Sequence, residues 1–155
     1  MTYTDAIAPG SSVSIEPATW RDLNDLRRLE KVCFPKDAWP LLDLIGLLTW
    51  PNIIRLKAVN AGAMVGFVAC DLRPADDLAW VATIGVLPEH RRRGIGRALL
   101  LAAEQQLTLP RVRLNVRISN HAAIQLYLEL GYQRAGVWSG YYQDGEDALV
   151  MEKQL

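Results

Sequence analysis

The segment Val86-Leu87-Pro88-Glu89-His90-Arg91-Arg92-Arg93-Gly94-Ile95-Gly96-Arg97-Ala98 joins two stretches of different periodicity. Trp80 to Val86 is apolar and β-rich, whereas Gly94 to Leu107, with Ala98, Leu99, Leu101, Ala102 and Glu104, favours a helix. Gly94 and Gly96 remove side chains where a main chain has to come close to a ligand. The first helical turn, through Ile95 and Ala98, offers N–H groups without intrahelical partners and the positive end of the helix dipole. Arg91, Arg92, Arg93 and Arg97 add positive charge. Together these features suit a diphosphate. A solvated arginine run ahead of an ordinary helix is the plainer alternative. No Lys-Ser or Lys-Thr follows the glycines, and the spacing is not GxGxxG, so neither a Walker loop nor a dinucleotide fingerprint is present.

Upstream, Ile53 to Val59 and Met64 to Leu72 flank Asn60-Ala61-Gly62, a hairpin turn signal. Gly85 lies inside the next strand, where a glycine marks a bulge, a close ligand or simple packing. Val13 to Pro17 reads as a short strand. Thr19 can cap a helix with Asp22 three positions on, and Leu23, Leu26, Leu29 and Val32 recur at helical spacing. A second short helix fits Leu41 to Trp50, between Pro40 and Pro51. Downstream, Val112 to Ile118 alternates as a strand with one dry face. Ser119 or Asn120 caps a helix through Leu130, which Gly131 ends. Two last strands, Tyr132 to Tyr141 and Ala148 to Lys153, surround an Asp144-Gly145 turn. The order is βααβββαβαββ, an α/β (α+β) fold on a mixed, mostly antiparallel sheet with one strand–helix–strand crossover. Residues 1–12, with Pro9, Gly10, Ser11 and Ser12, read as a flexible leader, and 13–155 as a single domain.

The 155 residues carry 17 basic and 17 acidic side chains, so no global field draws the chain to nucleic acid or anionic lipid. The arginines lack the interleaved aromatics of a single-strand-binding groove, and no nucleic-acid partner is expected. No apolar run approaches about 18 residues, and no signal peptide is evident, so no membrane partner is expected either. Cys33 and Cys70 form no CxxC pair and read as reduced thiols in a cytoplasmic protein. His90 and His121 have no ligand spacing, so no metal is expected. No GxSxG elbow provides a serine nucleophile.

Arg91-x-x-Gly94-x-Gly96 resembles the [QR]xxGx[GA] motif of the GNAT acetyltransferase superfamily, and Ile84-Gly85-Val86-Leu87-Pro88 resembles the strand end before it. Ser119-Asn120-His121-Ala122-Ala123-Ile124-Gln125-Leu126-Tyr127-Leu128-Glu129-Leu130-Gly131-Tyr132 is similar to the family's SNxxAxxLYxxLGF segment. Tyr141-Tyr142-Gln143-Asp144-Gly145-Glu146-Asp147-Ala148-Leu149-Val150-Met151 and Cys33-Phe34-Pro35 resemble the ribosomal-protein-alanine N-acetyltransferase (RimI-like) branch. The resemblance implies a GNAT fold with a splayed fourth and fifth strand. It implies acetyl-coenzyme A as cofactor, with main-chain contacts from Ile84, Gly85 and Val86 to the pantetheine. The loop and helix start, Arg91, Arg92, Arg93, Gly94, Ile95, Gly96, Arg97 and Ala98, would hold the pyrophosphate.

By the same resemblance Tyr127 is the general acid at the thioester and Asn120 a pantetheine ligand. A core tyrosine and a helix cap are their structural alternatives. The branch carries a glutamate base in an LEVR-like strand, where this chain has Leu114-Asn115-Val116-Arg117. Asn115 takes up no proton in any useful pH range. Either Asn115 orients a water, or Glu30, Asp43 or His90 reaches the site, or no strong base is needed. Phe34, Trp39, the Leu41–Trp50 helix, Tyr141 and Tyr142 are acceptor-side candidates or else core. The implied activity is acetyl transfer to a primary amine, most specifically a protein N-terminal α-amine, by a monomer or homodimer. A small-amine acetyltransferase and a catalytically weak acyl-coenzyme A sensor are the alternatives.

Overall fold

The computed structural model describes residues 12–155; apart from Ser12, the expected leader lies outside them. Thr19 accepts a hydrogen bond from the Arg21 N–H (3.3 Å), and its own N–H donates to Asp22 Oδ2 (2.8 Å). This capping box starts a 3₁₀ turn, Trp20–Asp22, that runs into helix α1, Leu23–Cys33. Leu26 and Leu29 face the core, but Val32 is 47% exposed and Glu30 is buried in its place. A strict three-residue repeat falls about 60° short of a full turn at each step, so by Val32 it has left the apolar face.

The chain divides into two compact units. The first comprises residues up to Asp71 together with Ala82–Gln106. Its strands β1 (Ser14–Pro17), β2 (Ile53–Asn60) and β3 (Ala63–Arg73) pair antiparallel, with Ile15 opposite Ala58 and Leu56 opposite Val68. Ala61 and Gly62 turn the β2–β3 hairpin with positive φ. Leu26 and Leu29 of α1 join Leu44, Leu47 and Leu48 of helix α2 (Leu41–Thr49) and Met64 and Phe67 of β3 in one buried cluster. Residues 82–86 of strand β4 (Leu78–Val86) and helix α3 (Ile95–Gln106) complete this unit.

The second unit comprises Leu72–Val81 and Leu107–Leu155. Strand β5 (Arg111–Arg117) runs parallel to β4, with Ala79 opposite Val112 and Trp80 opposite Arg113, a ladder at the N-terminal ends of both strands. Val112, Leu114 and Val116 are buried, as the alternation predicts, and leave Arg113, Asn115 and Arg117 on the other face. Helix α4 (His121–Glu129) follows, capped by the Asn120 side chain on the Ala123 N–H at 3.2 Å, and Gly131 leaves it with φ of 95°. Strands β6 (Gln133–Trp138) and β7 (Ala148–Gln154) pair antiparallel, and β7 pairs with β5 along its length. The sixth strand stops at Trp138, short of the expected Tyr141. Gly140 and Gly145 adopt positive φ, and residues 139–147 form a loop held by its own side chains. The strand order is β1-β2-β3-β4-β5-β7-β6, a mixed and mainly antiparallel sheet. Among the described residues no helix is long and apolar enough to cross a membrane.

Candidate active site

In the first unit, β4 ends in a 3₁₀ turn, Pro88–His90, and the chain reaches α3 through two left-handed residues, Arg92 (φ 62°) and Gly94 (φ 80°). Positive φ is free for glycine and costs energy at Arg92, so the loop stores strain there. At the start of the helix the Ala98 N–H donates to the Gly94 carbonyl at 2.9 Å, and the N–H groups of Ile95 and Gly96 lie ahead of that ladder. The side chains of Ile95 and Ala98 are buried and anchor the helix, while Arg91, Arg92 and Arg93 stand exposed around its start. Main-chain donors, the helix dipole and three cations at one helix end fit a diphosphate. Arg91 also acts within the protein, since its Nε donates to the Val86 carbonyl at 2.9 Å and ties the loop to the strand before it.

Gly85 is enclosed. A Cβ at this position would sit 3.2 and 3.3 Å from ring carbons of Phe34 and 3.3 Å from Cys33 Sγ. Phe34, read from sequence as an acceptor-side residue, therefore packs on the strand expected to hold the cofactor. Of the three alternative proton acceptors, Glu30 is buried and accepts a 2.7 Å hydrogen bond from the Thr83 hydroxyl. Burial pushes its carboxyl up from the usual range, and the Thr83 hydroxyl and the Trp39 main chain offset part of that. Asp43 lies in the first turn of α2, and His90 ends the 3₁₀ turn with Nδ1 buried and unbonded.

The second unit brings Asn115 and Tyr142 together: Asn115 Nδ2 donates to the Tyr142 hydroxyl at 3.4 Å. The acidic tail supplies the reason for that placement. Arg117 Nη1 donates to Asp144 (2.9 Å to Oδ2) and to Glu146 Oε1 (2.8 Å). Glu146 Oε2 accepts the Ser119 N–H at 2.9 Å, and Asp147 Oδ1 accepts the Gly140 N–H at 2.8 Å. Each carboxylate of Asp144-Gly145-Glu146-Asp147 thus holds the 139–147 loop. Tyr142 stacks edge-on against Tyr141, which contacts Trp138, which contacts Trp80, with centroid separations of 5.0, 5.2 and 5.5 Å. Trp138 and Tyr141 are 41% and 51% exposed, so this aromatic row is open to solvent. No local motif marks Trp80 and Trp138, because only the tertiary fold assembles the row.

Tyr127 is buried in the second unit beside Tyr132, and burial pushes its phenol up to about 12. Asn120 spends its side-chain oxygen on the helix cap and keeps its amide N–H₂ for other partners. Among the described residues no group of His, Cys, Asp and Glu is gathered for a metal ion.

Residues 20–132 match the Acetyltransferase (GNAT) family. The chain is 34% identical to the N-terminal acetyltransferase A complex catalytic subunit NAA10 of Arabidopsis thaliana, over 92% of this chain and 78% of that protein. It is also 34% identical to the N-alpha-acetyltransferase RimI of Mycobacterium tuberculosis, over 91% of this chain and 92% of that one. The crystal structure of the ribosomal-protein-S18-alanine N-acetyltransferase from Escherichia coli superposes with a TM-score of 0.82 at 28% identity, covering 92% of this chain and 93% of that one. The chain belongs to the GNAT acetyltransferase family. It is an amine N-acetyltransferase with the GNAT fold, and its acyl donor is acetyl-coenzyme A.

Proposed function

We propose that this enzyme acetylates the N-terminal α-amine of a protein, in the ribosomal-protein-alanine manner, by direct attack of the amine in a ternary complex. The observation that carries the reading is the similarity along nine tenths of the chain to proteins named for N-terminal, N-alpha and ribosomal-protein-alanine acetylation. The open aromatic row from Tyr142 to Trp80 supports a polypeptide acceptor over an enclosed small amine. The family match spans residues of both units, which supports reading 13–155 as one functional domain. Cys33 and Cys70 are free thiols, in keeping with a reducing, cytoplasmic setting.

Bound acetyl-coenzyme A supplies the acetyl group as an activated thioester. The main-chain N–H groups at the start of α3, with Arg92, Arg93 and Arg97, hold its diphosphate, and Arg91 keeps the loop in register with β4. The main chain of Ile84, Gly85 and Val86 and the Asn120 amide hold the pantetheine. Tyr127 keeps its proton throughout the neutral range, because its phenol sits near 12. Protonated at neutral pH, Tyr127 would serve the departing sulfur as hydrogen-bond and proton donor, the general-acid role. Asn115 and the Tyr142 hydroxyl orient the incoming amine or a water beside it. No carboxylate is needed at Asn115, since an α-amine of pKa about 7.7–8.0 is already roughly one-tenth neutral at pH 7.

The test pairs an alanine-starting peptide with the same peptide blocked at its N-terminus and carrying a free lysine. Mass spectrometry is expected to find acetyl on the alanine α-amine. Acetylation of the lysine or of small amines alone would overturn the acceptor assignment. Binding of acetyl-coenzyme A with no thiol release for any amine would favour the sensor.

A further inference from the structure

We infer that Glu30 is a positioning residue for the acyl-donor strand: through Thr83 it fixes the course of β4 at Ile84–Val86, so that the main chain is set before the donor arrives. The inference rests on the assignment of that strand to the pantetheine arm.

Three side chains at the end of α1 grip three residues of β4, Thr83, Gly85 and Val86. Glu30 takes the Thr83 hydroxyl at 2.7 Å, Phe34 packs its ring against Gly85, and Cys33 Sγ donates to the Val86 carbonyl at 3.4 Å. The Phe34 N–H closes the last helical turn on the Glu30 carbonyl at 2.8 Å, so Phe34 and Glu30 move as one piece. The Val86 carbonyl also takes Arg91 Nε, which carries the grip into the diphosphate loop. The Glu30–Thr83 bond is the fully buried member of the set, with Glu30 at 1% exposure. A buried hydrogen bond to the Glu30 carboxyl oxygen is directional, unlike the apolar contact beside it.

The arrangement carries a cost that packing alone does not require. Glu30 is almost fully buried, with the Thr83 hydroxyl and the Trp39 main chain offsetting only part of its desolvation, and a methionine or leucine of similar volume would fill the space without desolvating a carboxyl. What an apolar side chain cannot do is orient Thr83, two residues ahead of Gly85. The carboxyl therefore sets where the strand edge points, and acts on the donor only through Thr83.

Thr83→Val removes the hydroxyl with almost no change of shape, and so avoids the risk that a large change at Glu30 prevents folding. In the ligand-free protein the main-chain amides of residues 84–86 are expected to exchange about tenfold faster with deuterium, and acetyl-coenzyme A to bind about tenfold more weakly by calorimetry. Thr83→Ser is expected to restore both. Glu30→Gln, whose amide oxygen still accepts from Thr83, is expected to stay within about twofold of wild type. The KM of the acceptor peptide is expected to hold. Unchanged exchange and affinity in Thr83→Val, or no rescue by serine, would overturn the inference. A wild-type protein without affinity for acetyl-coenzyme A would instead sink the donor-strand assignment, while the ligand-free exchange would still accept or reject the grip.

Discussion

The Arg117 guanidinium lies over the Tyr142 ring, 4.1 Å from its centroid, while its Nη1 holds both Asp144 and Glu146. One side chain thus pins a loop by charge and supports an aromatic ring by cation–π contact. Each exposed ion pair alone contributes little, but a planar guanidinium that serves several partners fixes geometry as well as energy.

Removing that guanidinium therefore releases Tyr142 from Asn115. Arg117→Met, which keeps the aliphatic stem, is expected to raise the acceptor-peptide KM by about tenfold, the equivalent of the 1–2 kcal/mol of a partly buried cation–π contact. The affinity for acetyl-coenzyme A is expected to stay at the wild-type value. Steady-state kinetics with each substrate varied in turn checks the split, and an equal loss toward both substrates would point to general disorder of the fold.

Glu146 links the same loop to acid stability. Its carboxyl is held below the usual range, first by its hydrogen bonds with Ser119 and then by Arg117. A depressed folded pKa contributes stability above the unfolded carboxylate value of about 4.3, and that contribution is lost as pH falls through the folded value. Thermal melts from pH 3 to 7 are expected to show Glu146→Gln with a lower Tm than wild type at pH 7, and a narrowing gap below about pH 4.5.

Tyr127 gives the opposite kind of pH statement. With its phenol near 12 it stays protonated below about pH 10, so it adds no titration limb to the neutral range. The rise of kcat/KM with pH is then expected to follow the acceptor α-amine, with a midpoint of about 8. Tyr127→Phe is expected to lower kcat by roughly a hundredfold without changing acetyl-coenzyme A affinity or the position of that midpoint. An unchanged kcat would remove Tyr127 from the chemistry.

What sequence made legible follows the range of the forces involved. The α3 start, the Thr19 and Asn120 caps and the β5 alternation are set by neighbours a few residues apart, and all appear where local pattern puts them. Glu30 meets Thr83 across 53 residues, and no local pattern signals such a pair. Asp144 stands out in sequence as a turn residue with Gly145, and Glu146 and Asp147 only as part of a family resemblance. Their reason, a clamp on Arg117, Ser119 and Gly140, becomes visible when β7 pairs with β5. The misplaced strand end at Tyr141 has the same origin. Aromatic residues favour strands in isolation, but here Gly140 and the Asp147 bond turn the chain first.

Asn120 offers a case in which stability and binding can be separated on one side chain. Its oxygen caps α4 at the Ala123 N–H, and its amide nitrogen is the group assigned to the pantetheine. Asn120→Ala removes both and is expected to cost about 1 kcal/mol of stability, a fall in Tm of roughly 2–4 °C, together with weaker donor binding. Asn120→Asp keeps an equally good capping oxygen and adds a charge that suits the helix N-terminus. It removes the N–H donors. Its Tm is therefore expected to match or exceed that of wild type, while calorimetry is expected to show acetyl-coenzyme A bound about tenfold more weakly, as for the loss of one hydrogen bond that leaves an unmatched group. Wild-type affinity in Asn120→Asp would leave the residue as a helix cap and nothing more.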